Sequence, residues 1–421
     1  MPPNSISTDL VIIGGGFMGL SLAYQASLKG IHSIILEPAE KSQPHYMTGL
    51  FAPRADYLSK DRDEVMATIY ECLRWRKFFR DIIRPKLYVM PFGPDTPYSP
   101  ALIGSLMNVY DNLTGFRFGR FSGNSFRINN NILEQMEQNL KKHYFKEAIG
   151  FYELTAQPDD LLLDFTNKVM ATGLSSIVRY SSLWYYLKHD SIRSVLVGNR
   201  NGEKLLLTNK SGIKVINTAG PWMQDVATPL GISLPVEYQL GFQLSIPEKY
   251  CFQHSIITFG TDGLYTIISQ QKDHIQVGPT NTASHGTADI TDPKLRQQAQ
   301  DYLINTVTRI IEPGFKLAKS EIKSGGLRVK LRLPLSPDSN RPFILNIGFD
   351  NYHVVYPGKA VMALKTADEF LANQFNGKKY FYCLDGSKKY RNLIKLNIIR
   401  LKSVMLLGLG LAINLVRKYL K

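Results

Sequence analysis

The segment at residues 9–19, with the sequence DLVIIGGGFMG, constrains the fold of this chain more than any other stretch. A short apolar strand runs directly into Gly14, Gly16 and Gly19, and a helical sequence follows. In such a turn the first N–H groups of the helix point at a phosphate, and the missing side chains let a pyrophosphate approach the backbone. The segment therefore predicts a strand–turn–helix unit that binds a dinucleotide.

A second strand, at residues 33–36, strengthens this prediction because it ends in Glu37, about 20 residues after the glycines. An acid at this position accepts hydrogen bonds from the ribose hydroxyls and disfavours a 2′-phosphate. The alternative is a glycine-rich turn in an ordinary βαβ unit. The segment by itself leaves FAD and NAD both open.

Composition indicates a globular protein. The 421 residues, 44% hydrophobic and 20% charged, are enough for two or more domains. Cys72, Cys251 and Cys383 are widely spaced, so neither a disulfide framework nor a CxxC motif is expected, and we predict no metal site. The residues before the first strand lack the basic and apolar regions of a signal peptide, so we expect the protein to face the cytoplasm.

The formal net charge of +15 is unevenly distributed, because residues 388–421 contain nine Lys or Arg and no acid. Apolar side chains are interspersed with these bases, and the uncharged run 403–416 is shorter than the span of about 20 residues that crosses a bilayer. This favours an in-plane or re-entrant helix that basic residues anchor on anionic headgroups. A helix docked on the protein's own core or on a homodimer partner is the alternative. A nucleic-acid partner is not expected, since aromatic interleaving and a recognised fold are missing. We therefore predict a peripheral protein on the cytoplasmic face of a membrane, or otherwise a cytoplasmic one.

The order of elements predicts an α/β fold with a discontinuous nucleotide-binding domain. A βαβ pattern occupies residues 8–37, helical patterns occupy 61–84 and 132–143, and short strands between the two chain ends suggest an inserted, mainly antiparallel β-sheet substrate domain of α+β type. The expected parts are a Rossmann-like domain at 1–85, 155–228 and 320–375, a substrate domain at 86–154 and 229–319, and a basic amphipathic tail at 376–421.

Several separate motifs follow one another over residues 9–375, and their order along the chain is informative. These are the GGGFMG turn, RP with PF at 84–92, NVYDNL at 108–113, NTAGPW at 217–222, DGLY at 262–265, VGPTNT at 277–282, SGGLR at 324–328 and YPGK at 356–359. Together they resemble the FAD-dependent D-amino-acid oxidase superfamily and, within it, the aerobic, flavin-linked glycerol-3-phosphate dehydrogenases. The resemblance implies FAD as the cofactor.

In such enzymes hydride passes from an alcohol carbon to flavin N5 while basic residues hold the anionic end of the substrate. The resemblance assigns that role to Arg54, Arg328 and Lys359, and Arg is suited to bidentate contacts with phosphate or carboxylate. The Gly358–Lys359 turn opens the last helix, whose positive end would favour a reduced, anionic flavin. The expected FAD-binding residues are Gly14, Gly16, Gly19, Glu37, Thr48, Ala219, Gly220, Gly358 and Lys359.

The sequence departs from the family near the substrate. Val329 stands where proline usually follows the arginine, and Arg332 precedes Leu333 and Pro334, so Arg328 and Arg332 are alternative substrate arginines. No general base is assigned. Its candidates are His45, His274 and His353, together with the hydroxyls of Thr48, Tyr352 and Tyr356.

The predicted function is an FAD-dependent dehydrogenase that oxidises a small anionic alcohol, glycerol 3-phosphate to dihydroxyacetone phosphate, and passes electrons to quinone. One alternative is an oxidase or dehydrogenase of amino acids or 2-hydroxy acids that reduces oxygen or quinone. The other is a membrane-associated flavin-binding protein whose substrate site has decayed.

Overall fold

A computed structural model describes most of the chain. The described residues are 4–38, 62–114, 125–247, 252–259, 265–270, 274–278, 293–312, 321–331, 342–375 and 382–383. The predicted site residues Thr48 and Arg54, the candidate base His45, Arg332 and the basic segment 388–421 lie outside them.

The elements follow one another in this order. The strands are β1 (Asn4–Ser7), β2 (Leu10–Ile13), β3 (Ser33–Pro38), β4 (Arg84–Phe92), β5 (Phe126–Asn129), β6 (Glu147–Thr155), β7 (Ser175–Tyr180), β8 (Ser182–Lys188), β9 (Ser191–Gly198), β10 (Lys204–Thr208), β11 (Lys214–Asn217), β12 (Val236–Pro247), β13 (Ser255–Phe259), β14 (Tyr265–Gln270), β15 (His274–Gly278), β16 (Glu321–Leu331), β17 (Phe343–Asn346), β18 (Tyr352–Tyr356) and β19 (Tyr382–Cys383). The helices are α1 (Phe17–Ser27), α2 (Arg62–Phe78), α3 (Pro100–Thr114), α4 (Asn130–Met136), α5 (Pro158–Met170), α6 (Met223–Ala227), α7 (Pro293–Ile310) and α8 (Ala363–Phe375).

A seven-stranded sheet with the order β19-β17-β18-β11-β2-β3-β7 forms the first body of the fold. Its strands from β18 to β7 are parallel, β17 is antiparallel to them, and β19, which pairs antiparallel with β17, runs in their direction again. The sequence LVII of β2 is fully buried, as expected for a parallel strand covered on both faces. The predicted βαβ unit is confirmed, because β2 and β3 pair in parallel and α1 connects them.

Two different layers cover this sheet. Helices α1, α2, α5 and α8 bury one face, in a core that includes Trp75, Phe165 and Phe370. A four-stranded sheet with the order β1-β10-β9-β8 covers the other face, where Val195 and Leu207 pack against Val11. The chain therefore has a mixed α/β fold, as predicted.

An eight-stranded, mostly antiparallel sheet forms the second body, with the order β16-β12-β15-β14-β13-β4-β6-β5. Helix α7 packs on it through Leu303 and Val307, and helix α3 through Ile103. Strand β16 belongs to this sheet because it pairs with β12 from Glu321 to Leu331, although residues 320–375 were expected in the nucleotide-binding domain. Motif order along the chain carries no information about such pairing.

The helix predicted at residues 132–143 is shorter in the structure. Helix α4 starts at an Asn129 cap, whose side chain accepts the N–H of Ile132 at 2.9 Å, and ends at Met136. The next residue, Glu137, has left the helical conformation, and its carboxylate accepts the N–H groups of Gln253 and His254 at 2.9 and 2.8 Å. Tertiary hydrogen bonds thus end the helix.

The helix predicted at 61–84 likewise ends early, at Phe78, and β4 begins at Arg84. Of the helices within the described ranges, none is both long and apolar enough to cross a membrane.

Candidate active site

Four strand ends from distant parts of the chain meet at one edge of the seven-stranded sheet. They are the carboxyl ends of β2, β3, β11 and β18, which are parallel neighbours in the sheet. In open α/β sheets, ligands bind in the crevice outside the carboxyl ends of the strands. This edge is therefore the candidate site.

The three glycines of the first turn, which follows β2, differ in their surroundings. Gly14 has φ +110°, and a Cβ there would lie 2.8 Å from the carbonyl oxygen of Thr218. At Gly19 a Cβ would lie 1.9 Å from the carbonyl oxygen of Gly14, so α1 can approach the turn only without a side chain. At Gly16 a Cβ would meet no described atom within 4 Å. The open space at Gly16, at the start of α1, fits a phosphate near the helix N-terminus.

Glu37 lies beside this turn. Its carboxylate accepts the backbone N–H of Gly15, across the strand pair β2–β3. Tyr180, at the end of neighbouring β7, has its pKa raised by burial and by the charge of Glu37. The acid is thus held at the sheet edge where a ribose next to the pyrophosphate would lie.

Asn217 and Thr218 connect the turn after β11 to the glycine turn after β2. The hydroxyl of Thr218 lies 3.0 Å from the carbonyl oxygen of Gly14 and can donate to it. The fully buried amide of Asn217 donates to the Tyr352 hydroxyl at 2.8 Å and accepts the N–H of Ala219 at 3.1 Å. These bonds fix the Ala219–Gly220 turn, which has small side chains and a positive φ at Gly220.

The turn after β18 contains Gly358 and the half-buried Lys359. Gly358 has φ +67°, Lys359 precedes a 3₁₀ turn at Ala360–Met362, and α8 follows. Trp75 of α2 donates its indole N–H to the carbonyl of Val361 at 2.8 Å. The start of the last helix is therefore fixed from the helical layer.

The strand that carries Arg328 reaches the same edge. Arg328 lies opposite Gln239 in the β16–β12 pair, and the next residue, the buried Val329, donates its N–H to the Tyr356 hydroxyl at 3.3 Å. Tyr356 ends β18, three residues before Lys359. The structure thus brings the backbone at Arg328 to the turn that carries Lys359.

Two general-base candidates are core residues. His353 is 1% exposed, packs edge-on against Phe370, and has its pKa lowered to about 4 by burial and by Lys214. Tyr352 is buried, and burial raises its pKa to about 12.

The other described general-base candidates, His274 and Tyr356, lie at the ends of strands. His274 starts β15, opposite Pro247. The hydroxyl of Tyr356 contacts β16, the strand that carries Arg328. Among the described residues, no group of His, Cys, Asp and Glu could hold a metal ion.

Sequence reasoning did not find the roles of Thr218, Trp75 and Tyr356 in joining these turns. Thr218 lies inside the NTAGPW motif, which could have indicated a contact with the glycine turn. The bonds Trp75–Val361 and Val329–Tyr356 had no local signal in the sequence. They join residues 286 and 27 positions apart, and only the tertiary fold brings such residues together.

The chain is similar to known proteins over most of its length. The family model "DAO: FAD dependent oxidoreductase" matches residues 9–359. The alpha-glycerophosphate oxidase of Lactococcus lactis is 24% identical over 343 residues, 76% of this chain and 54% of that protein. The aerobic glycerol-3-phosphate dehydrogenase of Staphylococcus saprophyticus is 23% identical over 354 residues, 81% and 59% of the two chains. The chain thus spans little more than half the length of these relatives.

Solved structures show the same fold. The glycerol-3-phosphate dehydrogenase of Bacillus halodurans, complexed with FAD, has a TM-score of 0.63 at 16% identity, covering 90% of this chain and 66% of that chain. The iminodiacetate oxidase of Chelativorans sp. BNC1 has a TM-score of 0.60 at 15% identity, covering 89% and 97%.

Proposed function

Because the chain belongs to the DAO family of FAD dependent oxidoreductases, we propose that it oxidises a small anionic alcohol, with glycerol 3-phosphate as the first candidate and dihydroxyacetone phosphate as the product. The protein is an FAD-dependent enzyme. The substrate is supported by relatives named alpha-glycerophosphate oxidase and aerobic glycerol-3-phosphate dehydrogenase.

The residues at the sheet edge fit FAD. The turn from Gly14 to Gly19 would hold the pyrophosphate, because Gly16 is open and the N–H groups at the start of α1 face that space. Glu37 would accept the ribose hydroxyls. Ala219, Gly220 and the segment outside the described residues that contains Thr48 would line the rest of the cofactor. When bound, FAD supplies flavin N5 as the acceptor of the hydride.

The anionic end of the substrate would be held by Arg328, Lys359 and Arg54. The observation that carries this assignment is the contact between Val329 and Tyr356, which brings the Arg328 strand to the Lys359 turn. An arginine offers two parallel N–H donors to a phosphate, and a lysine adds a compact charge. The 3₁₀ turn Ala360–Met362 and helix α8 also begin next to Lys359. The partial positive charge at this helix N-terminus would add to the attraction for an anion.

The seven-stranded sheet and its two covering layers correspond in this proposal to the FAD-binding domain, and the eight-stranded sheet to the substrate domain. Compared with the expected boundaries, β16 moves to the substrate side. The substrate would then lie between the two, where β16 contacts the 3₁₀ turn Gly220–Trp222. Such crevices between domains are common ligand sites.

Quinone is the proposed electron acceptor, and oxygen is the alternative. The basic apolar segment 388–421 supports quinone, because a lipid-dissolved acceptor requires the enzyme to sit at a bilayer, and nine bases without an acid favour an anionic one. The oxidase name of one relative supports oxygen. The alternative for the segment is a contact with a homodimer partner.

The test is anaerobic reduction. The full chain is purified in mild detergent, and glycerol 3-phosphate is added while the flavin band near about 450 nm is recorded. Loss of the band with glycerol 3-phosphate, and not with glycerol, is the expected result. Loss only with amino or 2-hydroxy acids would replace the substrate with a carboxylate, and a band that no such compound bleaches would indicate a decayed site.

Two variants identify the substrate arginine. Arg328→Met is expected to lower kcat/KM for glycerol 3-phosphate by about 100-fold or more, because a charged hydrogen-bonding pair at a desolvated site is lost. Arg332→Met is the matched control and should change it less than about threefold. The reverse order of effects would move the assignment to Arg332.

A further inference from the structure

We propose that the outer face of the four-stranded sheet docks on an anionic lipid surface through Trp184, Tyr186 and Leu187. The proposal extends the membrane association proposed above and rests on it for the choice of a bilayer, but it uses residues that are distant in the sequence from segment 388–421. Trp184 and Tyr186 lie on the sheet face that points away from the seven-stranded sheet, and Leu187 follows them at the exposed end of β8, opposite Ile192 after the register shift. We call this face, together with Leu187, Lys188 and Lys204, the aromatic face.

Large apolar side chains are exposed together on this face. Trp184, Tyr186 and Leu187 are 46%, 51% and 51% exposed. The intervening Tyr185 points inward, where its hydroxyl donates to the carbonyl of Val226 at 3.3 Å. Three exposed large apolar groups within four residues exceed the scattered single exposures that are normal on a protein surface.

The indole of Trp184 lies close to the two neighbouring strands of its sheet. A Cβ at Gly198 of neighbouring β9 would lie 3.2 Å from the Trp184 ring, so the glycine makes room for it. On β10, the next strand, the Lys204 ammonium lies 5.7 Å from the ring centroid. Trp184 is opposite Leu196, which is opposite Leu206, so an apolar row crosses three strands beside a cation.

This combination matches the membrane interface. Trp and Tyr concentrate at the headgroup level because one end of each ring system is apolar and the other is polar, and lysines next to them bind anionic lipid. Residues 182–208, which form β8 to β10, carry four basic and two acidic side chains. A surface that is aromatic, aliphatic and cationic therefore favours an anionic bilayer.

Charge argues against two other occupants. A second copy of this chain would bring together two faces of the same positive sign, on chains of formal charge +15. The chain's own segment 388–421 has nine bases and no acid, and it would be repelled in the same way. An anionic partner is the one that neutralises this surface.

Pairing along the strand edge is also disfavoured. Strand β8 is at the edge of its sheet, where an unpaired strand can add another chain. Its register shifts between Tyr186 and Leu187, and Lys188 ends it. An irregularity and a lysine are the devices that protect natural edges, so the face and not the edge is the surface available for docking.

Fluorescence quenching tests the contact directly. Vesicles of phosphatidylcholine alone, or with phosphatidylglycerol, carry a nitroxide on a fraction of the headgroups, and the full chain is compared with Trp184→Phe. The difference between the two emissions belongs to Trp184. We expect that emission to be quenched by the anionic vesicles and unchanged by the zwitterionic ones; no quenching on anionic vesicles to which the protein binds would overturn the proposal.

Acrylamide quenching without vesicles distinguishes the other occupants. Trp184 emission should be accessible at all protein concentrations. Protection at every concentration would assign the face to the chain's own basic segment, and protection that grows with concentration would assign it to a second copy. Either result overturns the lipid assignment.

Sedimentation with vesicles gives the magnitude. Trp184→Ser combined with Leu187→Ser is expected to weaken partitioning into anionic vesicles by about tenfold, since the apolar area that enters the interface is lost. Leu163→Ser is the matched control, because Leu163 is 63% exposed on α5 in the helical layer. Equal loss in both variants would contradict the proposal. Flavin bleaching in detergent is measured separately, so failure of vesicle binding and failure of the proposed enzymatic function give different results.

Discussion

The backbone N–H of Val329 donates to the hydroxyl of Tyr356 at 3.3 Å, and this bond joins the eight-stranded sheet to the seven-stranded sheet at the candidate active site. Val329 belongs to β16 of the eight-stranded sheet, and Tyr356 ends β18 of the seven-stranded one. Because Arg328 precedes Val329 and Lys359 follows Tyr356 by three residues, the bond sets the spacing of two residues proposed to bind the substrate.

Removal of that hydroxyl should therefore affect substrate binding more than folding. Tyr356→Phe is expected to raise KM by about two- to tenfold, the cost of one hydrogen bond of roughly 0.5–1.5 kcal/mol, while the protein keeps its FAD. Steady-state kinetics and the flavin-to-protein ratio measure both effects. Tyr352→Phe is the control, because Tyr352 accepts from the buried Asn217 and should lower thermal stability with KM unchanged.

Substitution of two different glycines of the first turn, Gly16 and Gly19, should cause different defects. Gly16→Ala should leave the unfolding temperature of the apoprotein unchanged, since a Cβ there meets no described atom within 4 Å, and φ of −73° suits alanine. It should lower FAD affinity if the pyrophosphate occupies that space. Gly19→Ala should destabilise the protein itself, because its Cβ would lie 1.9 Å from the Gly14 carbonyl. Equilibrium dialysis of FAD and thermal unfolding of both apoproteins separate the cases; unchanged FAD affinity in Gly16→Ala would remove the phosphate from this turn.

Loss of the charge at Glu37 should weaken FAD binding without unfolding the sheet. Glu37→Gln is expected to raise the Kd for FAD by about tenfold or more, because hydrogen bonds to a charged group contribute roughly 1.5–3 kcal/mol. Fluorescence titration of the apoprotein measures it. Glu203→Gln serves as the control at an exposed turn, where Glu203 accepts from Asn199 at 2.6 Å, and its Kd should equal that of the wild type.

Local signals predicted the βαβ unit at the candidate site, because the glycines, strand β2 and Glu37 lie within 30 residues, roughly one βαβ unit. The position of β16 could not be predicted in this way, since its partner β12 lies roughly 80 residues earlier in the sequence. Local sequence patterns do not indicate which of two such distant strands will pair. The same limit explains α4, which Glu137 ends by binding backbone groups of Gln253 and His254. Strand β8 has no local signal either, because its aromatic residues do not alternate with polar residues as in a typical half-buried strand.

Glu71 is a buried carboxyl whose titration should be visible in stability. It is 1% exposed, and burial raises its pKa to about 7, against the opposing effect of Arg74, whose guanidinium lies 3.6 Å away. Arg74 is also bound to Asp368 of α8, at 2.6 Å. Nearby Asp368 and Glu369 raise the pKa further, and Lys365 lowers it.

The sign of the pH dependence follows from this shift. The folded pKa of Glu71, about 7, is higher than its ordinary value of 4.5, so the folded state binds more protons than the unfolded state between those values and stability falls as pH rises through that window. Glu71→Gln removes this group from titration. Relative to wild type, the variant should therefore gain stability at pH 8 compared with pH 5, by at most on the order of 3 kcal/mol. Urea unfolding of both proteins at the two pH values measures the difference, and Asp164→Asn, a surface control whose partner is Lys168, should show none. A parallel pH dependence in wild type and Glu71→Gln would mean that Glu71 is charged in the folded protein across this range, held so by Arg74.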